Sequence, residues 1–405
     1  MSKIIYKQKC PKEEKIMKTK ILTPKCQSLI YSSRGFTLIE VLIGATIMLL
    51  VVLATLSLYV RSNKLSVDQM QFASLQHDVR SAMFFISRDV RSAGVGLRPE
   101  ISGYFLEGID GFGPSPESPD SVKIMGDFDD PLHLTIQHQG GNQFKVDMSE
   151  LYNYPYQEAF YQDREVIIIS PTCPGCFALR YIGNISWPMG VAPGTFTMPP
   201  GRSELNPPGG LMDTGCPSNC WDDAICTFIQ IKQYWLDTTG NPGDYPSLNL
   251  TVGQDGYLGL PYTLYLTRID AVTGSAMHMP IAFNVENLQF QYIGDFDYDG
   301  LTDPSTDWDN TNWTINPGDD AATKQAKYDL ITRIRMVRIC VLGRTENPYV
   351  SVSGTPSSGI SVYRRPAIAN SPASSQDDRH RRFLLESTSN VRNLSLNLYN
   401  TGNVY

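Results

Sequence analysis

Arg34-Gly35-Phe36-Thr37-Leu38-Ile39-Glu40-Val41-Leu42-Ile43 opens the stretch from which the rest of the chain is read. Residues 36–60, FTLIEVLIGATIMLLVVLATLSLYV, carry one charge, Glu40, and residues 41–60 carry none. At 1.5 Å per residue, 20 helical residues cover about 30 Å, the thickness of a bilayer's hydrocarbon core. Upstream, residues 1–35 hold eight lysines and Arg34 against Glu13 and Glu14. A basic flank stays on the cytoplasmic side, so the single span predicts a chain whose remainder faces outward.

The apolar stretch lies after a small residue, Gly35, and not before one. An ordinary secretory signal has the reverse order and loses its apolar segment on cleavage. Cutting between Gly35 and Phe36 would discard the basic leader and keep the membrane helix. A glutamate inside an apolar run costs roughly 2.5–3.5 kcal/mol at a helix centre, so Glu40 calls for a reason. Without residues 1–35 the chain would have 370 residues, and its 25 basic and 39 acidic residues would give a net charge of −14.

The whole chain has 405 residues and a net charge of −7. An acidic balance argues against general nucleic-acid binding, which needs a basic footprint. With 41% apolar residues the chain is too apolar for disorder, and 32 glycines and 27 prolines indicate many turns and a β-rich domain.

Past Arg61 the pattern turns amphipathic. Leu65, Phe72, Val79 and Ile86 recur every seven residues, widened by Leu75, Ala82, Met83 and Val90, with Lys64, Asp68, Gln76, Arg80, Arg88 and Asp89 assigned to the outer face. One helix is predicted from Thr37 to Ala93, stopping at Gly94-Val95-Gly96. Strands are predicted at 132–137, 143–148, 165–170, 228–232, 262–270, 287–293 and 331–342. In the last, the apolar phase passes from Ile334 and Met336 to Val337, Ile339 and Val341, which predicts a β-bulge near Met336-Val337. Between Trp187 and Cys220 lie seven prolines and six glycines in 34 residues, a density that predicts no regular element. This is the heart of a loop-rich insertion at about 171–226. The segments are thus a leader (1–35), a membrane half-helix (36–60), an amphipathic half-helix (61–94) and a β-rich domain (95–405).

Beyond the leader, with its Cys10 and Cys26, stand Cys173, Cys176, Cys216, Cys220, Cys226 and Cys340. An even number in an exported domain predicts a disulfide set, whose 15 possible pairings the sequence leaves open. No thioredoxin-like βαβ setting surrounds Cys173-Pro-Gly-Cys176, so it is read as structural.

Asp295-Phe-Asp297-Tyr-Asp299-Gly300-Leu301-Thr-Asp303 places carboxylates at positions 1, 3, 5 and 9 of an EF-hand-like loop, with glycine at 6 and the Leu301 carbonyl available at 7. Position 12 is Thr306, so Asp307 is expected to stand in for the usual glutamate. The arrangement predicts Ca2+. Asp127-Phe-Asp129-Asp130 is a weaker echo, read as a turn. No nucleophile elbow, phosphate loop, dinucleotide fingerprint or zinc-hydrolase motif is present, and nothing in the sequence argues for an enzyme.

Residues 34–43 resemble the processing site of type IV prepilins. The resemblance implies a prepilin peptidase that cuts between Gly35 and Phe36 and methylates the new amino group. It also implies an α+β pilin-like fold, with a long helix packed on an antiparallel sheet. Glu40 would then pair with the methylated amino group of a neighbouring subunit. Asp89-Val90-Arg91-Ser92-Ala93-Gly94, Thr332-Arg333-Ile334-Arg335-Met336-Val337-Arg338-Ile339, Arg344-Thr345, Arg379-His380-Arg381-Arg382-Phe383 and Val391-Arg392-Asn393-Leu394 are similar to PilW-type minor pilins. That implies a protein of pilus assembly, priming or capping a filament beside other minor and major pilins and the inner-membrane assembly platform. A pseudopilin of a type II secretion system and a tip adhesin are the alternatives. The C-terminal arginines are read as a solvated strand face.

Overall fold

The computed structural model describes residues 36–97, 105–128, 133–146, 164–173, 176–186, 194–199, 216–269, 276–316, 318–348 and 363–394. The leader with Gly35, the pair Asp129-Asp130 and residues 200–215 of the predicted insertion lie outside them. The chain divides at Val60/Arg61 into two compact units. It runs α1 (Leu38–Arg91), β1 (Leu106–Ile109), β2 (Ser121–Gly126), β3 (His133–Gly140), β4 (Gln143–Val146), β5 (Glu165–Ile169), β6 (Phe177–Tyr181), β7 (Asn184–Ser186), β8 (Gly194–Thr197), β9 (Ala224–Phe228), β10 (Gln230–Asp237), β11 (Thr263–Ile269), β12 (Ala276–Ala282), β13 (Val285–Gly294), α2 (Ala321–Ile331), β14 (Ile334–Arg344) and β15 (Arg382–Asn390).

The first unit contributes the apolar half of α1. Its side chains are exposed throughout, as a surface meant for lipid or neighbouring helices must be. Thr46 and Thr55 turn their hydroxyls back onto the Ile43 and Val51 carbonyls, at 2.8 and 3.0 Å, so these polar atoms are satisfied within the helix.

In the second unit the amphipathic half of α1 buries Leu75, Val79, Ala82, Met83, Ile86 and Val90. Leu65, predicted for the same stripe, is exposed; the packed stretch begins at Phe72, where the sheets first cover the helix. The helix ends as its glycines require. Gly94 has φ +73°, and a Cβ there would lie 2.0 Å from the Phe105 ring. Gly94 N donates to Met125 O at 2.8 Å, tying the helix terminus to β2.

Two antiparallel sheets share this core: a five-stranded sheet ordered β1-β2-β10-β11-β12 and a three-stranded sheet ordered β13-β14-β15. On β13, Leu288, Phe290 and Tyr292 face the core together; on β14, Ile334, Val337, Ile339 and Val341 do. The phase slip is a bulge. Ile293 pairs with Met336 and Gly294 with Ile334, leaving Arg335 as the extra residue, one position before the predicted site. The predicted strand at 331–342 begins late because Ile331 ends α2, an element the sequence reading did not foresee; Asp320 caps it by accepting from Thr323 N at 2.7 Å.

Asp89 is the largest departure from the helical pattern. Assigned to the outer face, it is buried. Its Oδ1 accepts from Arg88 Nε at 2.9 Å; its Oδ2 accepts from Lys232 Nζ at 3.2 Å and from the Tyr234 hydroxyl at 2.7 Å. Lys232, also buried, lies 4.0 Å from the Phe128 ring centroid. Burial, then the Asp89 carboxylate, pushes the Tyr234 hydroxyl up, so it stays a donor. Burying Asp89 is tolerable only because β10 brings these donors to it.

A third sheet lies between β2 and β10 in the chain, ordered β6-β5-β9-β3-β4-β8-β7 and antiparallel at every pairing. Its edge strands β6 and β7 are joined by Ile182-Gly183 alone. Ile182 N donates to Arg164 O at 3.0 Å, and Gly183 N to Thr197 O at 2.8 Å. The sheet therefore curls until its edges meet, around an inner core that includes Ile136, Phe144, Ile168, Phe196, Trp221 and Phe228. Ile167, Ile169 and Leu179 point outward and join the core under α1. β5 is buried on both faces, as its continuous apolar run suggests. β8 corrects the expectation of no regular element between Trp187 and Cys220: Thr195-Phe196-Thr197 are good strand formers, and β4 and β7 flank them on both sides.

Two disulfides brace this lobe, Cys173–Cys220 and Cys176–Cys216, with Cα–Cα distances of 5.6 and 6.0 Å. Cys226 and Cys340 are free and buried, which corrects the expected six-cysteine set. Cys226 faces the inner core of the lobe, whereas Cys340 packs with Leu342 and Ile368 behind β14, so the two are in separate cores. Burial pushes the Cys226 thiol up and the Cys340 thiol up to about 11, and both stay unreactive in the folded chain.

Two measurements on the full chain in detergent test this architecture. Asp89→Ala removes the buried carboxylate that Lys232 and Tyr234 reach and is expected to cost roughly 3–5 kcal/mol in denaturant unfolding, while Asp89→Leu with Lys232→Met recovers most of it. Non-reducing peptide mapping is expected to return the 173–220 and 176–216 bridges, with Cys226 and Cys340 alkylated only after denaturation. Loss of either bridge is expected to cost roughly 2–4 kcal/mol.

Candidate functional site

Phe36 stands at the start of α1, almost fully exposed. Thr37 and Glu40 close a capping box around it. Thr37 N and Thr37 Oγ1 donate to Glu40 Oε2 at 2.9 and 3.0 Å, and Glu40 N donates to Thr37 Oγ1 at 3.4 Å. Glu40 thus sits in the first helical turn, where a negative charge meets the positive end of the helix dipole. The Thr-x-x-Glu spacing is a signal that sequence reading passed over. It adds a local reason for the glutamate, and it holds the carboxylate one turn from the position of a mature N-terminus. Gly35, the residue before that terminus, lies outside the described residues.

The acidic loop leaves the end of β13. Antiparallel bonds between Tyr292 and Thr306, at 2.7 and 2.9 Å, and from Asp303 N to Gly294 O at 2.7 Å pin its two ends together. Gly300, at φ +82°, makes the turn. Candidate oxygens of Asp295, Asp297 and Asp303 all lie within 4.8 Å of one another. Asp295 Oδ2 is 3.2 Å from Arg333 on the way into β14, and the Arg333 guanidinium stacks 3.6 Å from the Tyr298 ring. Asp303 Oδ2 accepts from Phe296 N at 2.5 Å.

Two predicted ligands are not in that group. Asp299 Oδ1 accepts from Leu301 N at 2.7 Å, and its carboxylate serves the turn. Asp307 lies past the Thr306 bridge, where burial first raises its carboxyl and a hydrogen bond from Gln291 opposes the rise. Thr306 and Asp307 follow the edge of β13 because backbone pairing, not ligand geometry, sets the path there. Leu301, the predicted carbonyl donor, is exposed. The arrangement is a partial oxygen cage of three carboxylates, with one arginine already at its rim.

The C-terminal arginines are solvated only in part: Arg379 is exposed and the Arg338 side chain is 39% exposed, but several are engaged within the chain. Arg382 is half-buried and forks onto Glu286, at 2.5 and 2.8 Å, and also meets Asp378. Arg338 pairs with Glu386 at 2.6 Å, and Arg344 stacks 3.6 Å over Tyr262. Arg382 and Arg338 tie β13, β14 and β15 together through charge-assisted bonds. The disulfide cysteines Cys173, Cys176 and Cys220 also bring their sulfurs together, but oxidised sulfur does not ligate a metal.

The family model for the prokaryotic N-terminal methylation motif matches residues 31–56. No curated protein and no solved structure matches the chain. The matched span holds Gly35, Phe36 and Glu40, and the helix it opens runs on to Arg91 into a domain of antiparallel sheets. The motif and the helix that it opens support a type IV pilin-like protein of pilus or secretion assembly, and the motif implies processing by prepilin peptidase.

Proposed function

We propose that this protein is a PilW-like minor pilin that takes part in type IV pilus assembly, priming or capping the filament together with other minor and major pilins on the inner-membrane platform. The observation that carries the reading is the N-terminus: an exposed apolar helix opened by Phe36, with one carboxylate fixed a turn away. After cleavage, Phe36 bears a positive amino group. In an apolar helix bundle, two opposite charges attract far more strongly than in water and only when aligned. Glu40 of one subunit and the Phe36 amine of its neighbour would thereby set the axial register as subunits leave the membrane. The similarity of the C-terminal third to PilW-type proteins supports the minor-pilin assignment over a pseudopilin. The disulfide-braced lobe between β2 and β10 supports a second role as a tip adhesin, because it projects a separate core from the pilin-like sheets.

We further propose that the acidic loop binds Ca2+ through Asp295, Asp297, Asp303 and the Leu301 carbonyl. The support is the grouping of three carboxylates on a loop whose ends are already pinned, which lowers the entropy lost on binding. Ca2+ takes six to eight oxygens, so water would complete the shell.

Three outcomes are expected. Gly35→Glu leaves a full-length precursor on gels, and a normally shortened product would refute the cleavage site. Glu40→Ala is inserted and cut normally but is missing from sheared filaments; recovery at the wild-type level would remove its pairing role. Ca2+ raises the unfolding temperature of the full chain in detergent, through a stabilisation of about 2.7 kcal/mol at a hundredfold excess over Kd, and Asp297→Ala with Asp303→Ala abolishes the rise. An unchanged response in that double variant would place any bound Ca2+ elsewhere.

A further inference from the structure

A strand at the end of a sheet presents backbone groups that have to be met or protected. β1 is only four residues long. β12 carries Pro280, which has no N–H to leave open, and its His278 N donates to Asp255 O at 2.7 Å. The outer edge of β13 is closed by Asp120, whose N donates to Leu288 O and whose Oδ2 accepts from Phe290 N, both at 2.8 Å, and by the Thr306 bridge. β15 is different. It ends the three-stranded sheet, runs nine residues from Arg382 to Asn390 and contains no proline. Val391 N donates to Arg335 O, and Arg381 O accepts from Thr345 N, both at 2.9 Å, so the odd-numbered residues of β15 turn their backbone groups toward β14. Leu384, Glu386 and Thr388 turn theirs outward, and no described residue meets them.

Beside this edge runs a groove on α1, whose walls among the described residues include Gln76, Arg80, Ser81 and Phe84. Arg80 lies 5.9 Å from the Phe383 ring centroid, and Phe72, two turns earlier, meets the same ring edge-on at 6.4 Å, so the groove adjoins β15. Phe84 is 62% exposed, a large apolar side chain that the sheets leave uncovered. Leu385, on the α1 side of β15 opposite Val341, is only partly buried, as is Phe383. Apolar surface and an open strand edge stand side by side, and a strand with one apolar face covers both at once.

The chain brings such a segment to this place. After β15 it turns back toward α1: Asn393 Nδ2 donates to Ala93 O at 2.6 Å, and Leu394 is fully buried in the core under α1. The sequence then reads Ser395-Leu396-Asn397-Leu398-Tyr399-Asn400, with leucine at alternate positions, the pattern of a strand buried on one face. This segment lies outside the described residues. A short turn returns a chain antiparallel to the strand it has left. Six extended residues span about 20 Å, and the helix from Ala73 to Phe84 covers about 16 Å. We propose that residues 395–400 add to β15 as a fourth, antiparallel strand, bonding to the outward groups of Leu384, Glu386 and Thr388 and laying Leu396 and Leu398 in the groove beside Phe84. Asn397 and Tyr399 then fall on the opposite face, with Glu386 and Thr388. The segment is a strap that closes the long edge left open among the described strands.

The test is hydrogen exchange, read residue by residue on the full chain in detergent. The amides of Leu384, Glu386 and Thr388 are expected to be protected comparably to those of Leu385 and Ser387, which bond to β14. A chain ended after Leu394 is expected to lose protection at the three even positions by about tenfold or more and to keep it at the two odd ones. Leu396→Asp with Leu398→Asp, which keeps the length and removes the apolar face, is expected to behave like the shortened chain. The proposal is overturned if the three even amides exchange freely in the full chain, if their protection survives in both variants, or if it falls on dilution, which would make a second copy the occupant. Should the shortened chain not fold, the full-chain rates, their independence of concentration and the double variant decide the matter.

Discussion

Asp89, Lys232 and Tyr234 form the contact on which the rest of the β-rich unit depends. A carboxylate on the last full turn of α1 reaches an ammonium and a hydroxyl on β10, all three inside the protein. Apolar packing alone would let a helix slide or rotate over a sheet, since burial is proportional to area and has no direction. A buried charge with fixed partners has one acceptable position. It sets the helix's rotation against β10, and β10 is the central strand of the five-stranded sheet. Specificity of this kind is the best-attested use of a buried ion pair, whose net contribution to stability is modest even though breaking it is costly.

From that anchor the sheets divide the labour. The five- and three-stranded sheets bury the stripe of α1, and Arg338 of β14 and Arg382 of β15 spend their charge on Glu286, Asp378 and Glu386 within the chain. The curled sheet is an excursion between two adjacent strands, β2 and β10, which pair with each other across it. An excursion of this form leaves the underlying sheet intact, so the lobe is free to carry its own core and its own disulfides. Its outer residues still contribute to the core under α1, through Ile167, Ile169 and Leu179.

The two polar features of the long helix follow one rule at different ends. Glu40 lies in the first turn, where the free amides and the helix dipole favour a negative charge, and Thr37 completes the cap. Asp89 lies in the last turns, where the dipole opposes a negative charge, and Arg88 beside it, with Lys232 and Tyr234 of β10, supplies the compensation. The same side-chain chemistry is thus locally satisfied at one end and satisfied at a distance at the other. Asp89 is buried for that reason, and Glu40 stays available.

The features determined by the sequence alone are those of short range. The apolar run, the glycine stop of α1, the alternation in β13 and the phase slip of β14 each concern residues a few positions apart, and local periodicity records such relations directly. The Thr-x-x-Glu cap was equally local and equally readable. The tertiary structure decided what depends on pairing across long separations: that Asp89 turns inward to Lys232, 143 positions away; that Cys173 and Cys176 take Cys220 and Cys216 while Cys226 and Cys340 stay apart in two cores; that Thr306 joins β13 and carries Asp307 away from the acidic loop; and that β6 and β7 close a sheet around a core of its own. Composition and spacing say which groups a chain owns, but burial and partnership come into being only when distant strands set the register, because desolvation acts on atoms brought together in space and not on neighbours in the sequence.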